Sequence, residues 1–265
     1  MNTENQNLEK KNSLLPASIL ASAIILAAAL VYNVGWRIRS EAYLSPPAAA
    51  SNTTADETVL PVRWGDLGKQ LVAAGVIDAD RFEQLYFSSG GLTQDIRAML
   101  YGDNNGTIRI NAENSGVMLN LFWALGLGNK NPILETGPMS SWRYGGAGKF
   151  ASTAGWTIAR GEAMDHYSAH PMIMLTPEQQ ILVERVSKNI YRPCCKNPAY
   201  FPDCNHGMAM LGLLELLASR GTSEEEMRRI ALKVNNYWFP EQSLGGGCGI
   251  ETAAVQSQKS GSCGI

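Results

Sequence analysis

A short segment of this chain concentrates its most reactive side chains. Three cysteines, Cys194, Cys195 and Cys204, and one histidine, His206, lie between positions 194 and 206. Thiolates and imidazoles are the ligands that soft or borderline cations such as Cu(I) and Zn(II) prefer. The spacing lacks the paired Cys-x2-Cys knuckles of common zinc motifs. The segment therefore predicts a Cu or Zn site of unusual spacing, formed by these four residues.

The local sequence predicts how these ligands are positioned. Three prolines oppose helix formation across residues 193–202, which we interpret as a stiff loop. Either Asp203 or Asn205 can cap a helix that begins there. Cys204 then lies beside the first turn, where free backbone amides and the helix dipole favour a thiolate. Gly207, just beyond it, permits the close approach of another group.

The same cysteines support two other interpretations, because cysteines outside the cytoplasm tend to oxidise. A disulfide, for example between Cys195 and Cys204, would make the segment a structural loop of an envelope protein that binds another protein. A working redox pair would make the protein a thiol–disulfide oxidoreductase with Cys204 as the activated thiol, although Cys-x-x-Cys is absent. The candidates for disulfide or redox chemistry are Cys194, Cys195, Cys204, Cys248 and Cys263.

A second group of candidate ligands precedes this segment. If residues 162–170 form a helix, Glu162, His166 and His170 are spaced four residues apart and share one face. Two imidazoles and a carboxylate on one face can hold a metal or act as an acid and a base, as in a metal-dependent hydrolase. The alternative is that the two histidines bond backbone carbonyl groups or cap the helix end. These three residues are the secondary metal candidates.

An apolar run near the N-terminus predicts a membrane anchor. Residues 13–36 carry no charge and are long enough to cross a bilayer. Two lysines precede the run and two arginines follow it, so the charge count does not decide the orientation. The short leading tail, residues 1–12, favours a single-pass signal anchor with the main domain outside the cytoplasm. The predicted partners are therefore the lipid bilayer, through residues 13–36, and an envelope protein.

Composition divides the remaining chain into three parts. Residues 37–61 are rich in proline, alanine, serine and threonine and have no periodicity, which predicts a flexible linker. Residues 62–240 are long enough for one compact domain with its own core. Residues 241–265 contain mainly glycine and small polar residues, which predicts a flexible Cys/Gly tail.

Helical periodicity dominates the predicted domain. Alternation with a period of two is confined to residues 107–110, so we predict a mainly α-helical fold. Residues 206–219 have no polar stripe and carry Glu215 as their only charge, which predicts a central helix. Residues 129–155 are expected to form a long loop, and residues 142–156 can cover a site as a lid.

The charge balance and glycine pattern exclude some functions. The formal net charge is −2, which provides no basic field for nucleic acid. The glycine-rich run 145–149 lacks the Walker spacing, so no nucleotide cofactor is expected. The sequence predicts a membrane-anchored extracytoplasmic protein with a Cys/His site for a soft or borderline metal. It leaves open whether the protein is an enzyme.

Overall fold

The computed structural model describes residues 57–103, 105–193 and 195–239. These residues form a mainly helical compact domain, as the sequence predicts. The predicted anchor at 13–36 and the predicted tail at 241–265 lie outside the described residues. Among the helices inside them, none is both long enough and apolar enough to cross a membrane.

A small antiparallel sheet opens the domain. Its strands are β1 (Thr58–Gly65) and β2 (Asn105–Ile110). Strand β1 was not predicted, and its first four residues fall within the predicted linker at 37–61. Exposed Pro61 and half-exposed Val59 interrupt the apolar pattern, and the pairing of the strands is irregular at this point. The side chains of β1 that enter the core are those of Thr58, Leu60, Val62 and Trp64.

Three short helices pack around this sheet. They are α1 (Leu67–Ala74) and α2 (Ala79–Phe87) after β1, and α3 (Gln94–Tyr101) before β2. The side chains of Asp78 and Thr93 each accept a backbone N–H from the third residue beyond them, at 3.2 and 3.4 Å. Such caps can be predicted from a sequence, because capping depends on residues only a few positions apart.

The middle of the chain contains more helical structure than predicted. It begins with α4 (Ser115–Gly128), after which the sequence suggested only a loop at residues 129–155. This segment instead contains α5 (Pro132–Thr136), three single 3-10 turns, and α6 (Ala151–Ala154). Helices of one turn are too short to show a helical period in the sequence, which explains the difference.

Four further helices complete the described domain. They are α7 (Ala163–His166), α8 (Pro177–Ser187), α9 (Asn205–Ser219) and α10 (Glu224–Trp238). Helix α8 begins with a capping box at Thr176 and has proline in its first turn. The loop with the cysteine cluster connects α8 to α9.

The core is built on α4 and α9, which are apolar on nearly every side. Glycines let the two backbones touch. A Cβ atom on Gly126 would lie 2.0 Å from the carbonyl oxygen of Met208, and one on Gly212 would lie 2.5 Å from that of Phe122. The prediction that 206–219 is the central helix is therefore confirmed, and the start of α9 is fixed relative to the core.

Candidate functional site

The cysteine loop ends at the start of α9. The N-cap residue of that helix is Cys204, whereas Asp203 or Asn205 was predicted. Cys204 is 8% exposed, whereas Cys195 is exposed. Their sulfur atoms and a carboxylate oxygen of Asp203 all lie within 4.8 Å of one another. The two sulfurs are not bonded to each other. The other three candidates, Cys194, Cys248 and Cys263, lie outside the described residues.

A buried arginine organises this loop. Arg192 is 0% exposed, and its Nη1 donates to Sγ of Cys204 at 2.9 Å and to Oδ1 of Asp203 at 2.5 Å. Arg192 was not predicted as a site residue, since arginine is rarely fully buried and nothing in the neighbouring sequence marks it as internal. Its Nε and Nη2 donate to three backbone carbonyl oxygens of the loop, those of Asn197, Pro198 and Phe201.

The guanidinium places a positive charge against the sulfur of Cys204. Burial acts to lower the pKa of Arg192, but attraction to Cys204, Asp203 and Cys195 raises it, and the net direction is upward. The interaction is mutual, so the same charge favours the thiolate form of Cys204. Cys204 also begins a helix of 15 residues, whose dipole acts in the same direction.

His206 does not belong to the group of mutually close ligand atoms. It follows Cys204 by two residues, which corresponds to a rotation of about 200° around the helix axis. Its ring stacks on Phe239 with the centroids 4.3 Å apart and meets the edge of Trp238 at 6.3 Å. Its Nδ1 is buried and has no hydrogen-bond partner among the described residues. The structure therefore separates His206 from the two thiols with which it was predicted to bind a metal.

The second predicted group does not share a helix face. Helix α7 ends at His166, and Ser168 has a left-handed backbone with φ of 52°. The side chain of Glu162 accepts a backbone N–H in the capping box of α7. Nδ1 of His166 lies 3.1 Å from Nε2 of His170, and its Nε2 lies 2.8 Å from the carbonyl oxygen of Arg160. The condition for a shared face, one helix over 162–170, is not met. As in the alternative interpretation, His166 bonds a backbone carbonyl group, and it also contacts His170.

The contacts of the histidine pair determine its tautomers. A carbonyl oxygen only accepts, so Nε2 of His166 carries a proton, and its Nδ1 accepts from Nε2–H of His170 when both rings are neutral. Burial, and secondarily the neighbouring His166, lower the pKa of His170. The lowered pKa favours the neutral form of His170.

A buried carboxyl group forms another polar cluster that sequence reasoning did not single out as a site. Glu215 in α9 is 0% exposed and accepts from Nδ2 of Asn131 at 2.6 Å and Nδ2 of Asn129 at 3.1 Å. Each amide oxygen accepts a backbone N–H, from Ile133 and Ile173, which fixes both amide orientations. Burial raises the pKa of Glu215 well above its usual value, against the opposing effect of the two amide donors. Its position as the only charge in an apolar helix was the available signal.

The segment predicted as a lid packs against the cysteine loop. The ring of Tyr144 stacks on Phe201 with the centroids 5.4 Å apart, and Phe150 packs edge-on against Phe201 at the same distance. The backbone N–H of Ser152 donates to the carbonyl oxygen of Asp203 at 3.1 Å. These contacts fix the position of the segment next to the thiols.

Comparison with known proteins found no matching family model, no similar curated protein and no similar solved structure.

Proposed function

We propose that the protein is a thiol–disulfide redox protein whose reacting residues are Cys195 and Cys204. One observation carries the proposal: Arg192 donates to Sγ of Cys204 at 2.9 Å while the sulfur of Cys195 lies within 4.8 Å. A thiolate is the nucleophile of thiol–disulfide exchange, and a fixed cation beside a sulfur favours that form. Two close thiols with such a cation are suited to the reversible formation of one disulfide.

Exposure assigns different roles to the two thiols. Cys195 is exposed and can reach a disulfide of another molecule, whereas Cys204 is buried. The thiolate of Cys195 attacks one sulfur of the partner's disulfide, which forms a mixed disulfide and releases the first partner thiol. The thiolate of Cys204 then attacks Sγ of Cys195 and releases the second. Two electrons and two protons pass to the partner, while Cys195 and Cys204 become a disulfide.

Redox titration in glutathione buffers, read by intact mass and peptide mapping, tests this proposal. Oxidation is expected to remove two hydrogens and to link the peptides that carry Cys195 and Cys204. Cys195→Ser and Cys204→Ser should each abolish this link, whereas Cys194→Ser should retain it. A link that survives Cys195→Ser but is lost in Cys194→Ser would overturn the assignment of the pair.

The three converging ligand atoms support a second candidate, a Cu(I) or Zn(II) site formed by Cys195, Asp203 and Cys204. Bonds of about 2.0–2.3 Å to one ion require these atoms to approach each other only slightly. The guanidinium of Arg192 opposes the site, because it already donates to Cys204 and Asp203 and would repel a cation. We therefore place it second to the redox pair.

Elemental analysis under reducing conditions tests the metal candidate. A stoichiometric ion that is lost in Cys204→Ser would support it, and Cys194→Ser would show whether the cysteine outside the described residues is a further ligand. Protein that contains no metal and does not compete with a chromophoric Zn(II) or Cu(I) chelator would eliminate it.

We further propose that this chemistry takes place on a membrane-anchored domain outside the cytoplasm. The support is the uncharged run at 13–36, which is long enough to span a bilayer. Labelling of intact cells with a membrane-impermeant maleimide should modify Cys195, with Cys195→Ser as the control. Recovery of the protein in the soluble fraction, or labelling only after lysis, would contradict the proposal.

A further inference from the structure

An exposed set of aromatic and basic side chains borders the cysteine loop. We call Trp142, Arg143, Tyr144 and Lys149 the aromatic-basic surface. Trp142 is 89% exposed and Tyr144 is 42% exposed, and the two basic residues are also exposed. Tryptophan, tyrosine and arginine dominate the binding energy of protein interfaces, so this composition is typical of a docking site.

The surface is fixed relative to the thiols. Tyr144 stacks on Phe201 with the rings inclined by 30°, and Phe150 packs edge-on against both rings. The carbonyl oxygen of Phe201 accepts a hydrogen bond from Arg192 at 2.7 Å, and Nη1 of the same guanidinium contacts Cys204. A partner bound to the aromatic-basic surface would therefore lie beside the cysteine loop.

Positive charge predominates around this surface. Residues 136–161 contain no aspartate or glutamate, while Arg143 and Lys149 project from the segment. Lys196 adds another basic side chain directly after Cys195. Opposite charges across an interface accelerate association and select the partner, so the surface suits an acidic partner.

The neighbouring carboxylates are already engaged in contacts with other groups of the protein. Asp203 is paired with Arg192 at 2.5 Å and also accepts from Nδ2 of Asn197 at 2.8 Å. Glu162 and Asp165, beyond the end of the segment, each accept a backbone N–H in the capping box of α7.

We propose that the aromatic-basic surface docks an acidic polypeptide segment whose disulfide is the substrate of Cys195. The inference rests on the proposed thiol–disulfide function and names the partner of that site. A polypeptide is favoured over an anionic lipid surface because the ring of Tyr144 is stacked on Phe201 and is not available for insertion. Trp142 remains as an anchor for a partner that also offers carboxylates to Arg143 and Lys149.

The test uses the reduced full-length chain and three disulfide probes. Two synthetic peptides share one sequence around an intramolecular disulfide and differ only in flanking glutamates or lysines, and hydroxyethyl disulfide is the small uncharged probe. At low ionic strength the glutamate peptide should be reduced about tenfold faster than the lysine peptide. This preference should shrink as salt is added.

For each variant, the rate of peptide reduction is divided by the rate of hydroxyethyl disulfide reduction. A change in docking alters this ratio, whereas a change in thiol chemistry alters both rates. Trp142→Ala should lower this ratio for the glutamate peptide, and Arg143→Glu with Lys149→Glu should reverse the charge preference. Leu232→Ala, which removes a side chain that is 56% exposed on α10, is the matched control and should leave the ratio unchanged. Equal rates for the two peptides, or no effect of the Trp142 and charge variants, would overturn the inference.

A binding measurement distinguishes failure of the inference from failure of the proposed function. Fluorescence anisotropy of the labelled glutamate peptide with Cys195→Ser protein reports docking without exchange, and hydroxyethyl disulfide reports exchange without docking. Protein that binds the peptide but reduces no probe would remove the thiol–disulfide function and leave only the docking surface. Protein that binds neither peptide, but whose binding to anionic phosphatidylserine vesicles is weakened by Arg143→Glu with Lys149→Glu, would overturn the polypeptide assignment.

Discussion

Gly207 leaves the space that the guanidinium of Arg192 occupies. A Cβ atom on Gly207 would lie 2.5 Å from Nη1 and 2.9 Å from Cζ of that arginine. The sequence predicted that this glycine permits the approach of another group, and the structure identifies the group. Glycine at this position in α9 allows the positive charge to reach the sulfur of Cys204.

Gly207→Ala is expected to displace Arg192 and to destabilise the protein by about 1–3 kcal/mol, the usual cost of overpacking a tightly packed site. Gly116→Ala is the matched control, since Gly116 lies in the first turn of α4 and a Cβ there meets nothing within 4 Å. It should be neutral or slightly stabilising, because alanine favours helix. Urea unfolding measures both, and equal free energies of unfolding for the two variants would contradict the steric argument.

Arg192→Lys should weaken the thiolate at Cys204 although it retains a positive charge. One ammonium group cannot reproduce the contacts of the guanidinium with Cys204, Asp203 and the loop carbonyls. The pH midpoint of alkylation of Cys204 by iodoacetamide, followed by peptide mapping, should rise in the variant. Lys188→Arg, a change at an exposed basic residue of the same domain, is the control. An unchanged pH midpoint for the alkylation of Cys204 in Arg192→Lys would contradict the electrostatic role of Arg192.

Glu215 is expected to make the protein less stable as the pH rises. Burial raises its pKa well above the usual value of 4.5 for a glutamate, so the folded state retains a proton that the unfolded chain releases. The favourable contribution is complete below about pH 4.5 and is lost as the pH rises towards the folded-state pKa, by at most about 1.4 kcal/mol per pH unit for one proton. Glu215→Gln removes this proton, and its free energy of unfolding should depend less on pH than that of the wild type. If the free energies of unfolding of the two proteins changed in parallel with pH above pH 5, Glu215 would ionise as freely in the folded protein as in the unfolded chain.

His170 is expected to make the protein less stable as the pH falls below about 6.5, whereas Glu215 makes it less stable as the pH rises. Burial and His166 lower its pKa from 6.5, so the unfolded chain takes up a proton at a higher pH than the folded protein does. Its contribution to stability is present above about pH 6.5 and is lost as the pH falls through the lower folded-state value. His170→Gln retains a donor towards His166 and should lose less stability between pH 7 and 5. The expectation would be contradicted if, between pH 7 and 5, the free energy of unfolding of the wild type fell by no more than that of His170→Gln.

Helix starts and the central helix could be predicted because their signals are local. Asp78, Thr93 and Thr176 cap helices through residues three positions away. The apolar character of 206–219 predicted its burial directly. The missed strand β1 also carries a local signal, but Pro61 and the exposed Val59 obscure its alternation.

The composition of the candidate site could be predicted only in part. The sequence singled out Cys195 and Cys204, but it grouped His206 with them and did not identify Arg192. His206 is close to the thiols in the sequence, but nearby positions of a helix point in different directions. Its ring therefore packs against Phe239 and not against the thiols. Glu162 was likewise grouped with the two histidines on the condition that 162–170 form one helix. That helix ends at His166, so the three side chains do not share a face.

By itself the sequence determined the mainly helical class, most helix starts, the central helix and the concentration of thiols before α9, because periodicity and capping act over a few residues. Only the tertiary structure decided that Arg192 is buried and bonded to Cys204, that Asp203 joins the two thiols, and that Glu215 is enclosed by two asparagines. Each of these contacts joins residues from different elements or from the two ends of a loop. Their free energy depends on which groups are removed from water together, and that is set by the packing of α9 against the rest of the domain.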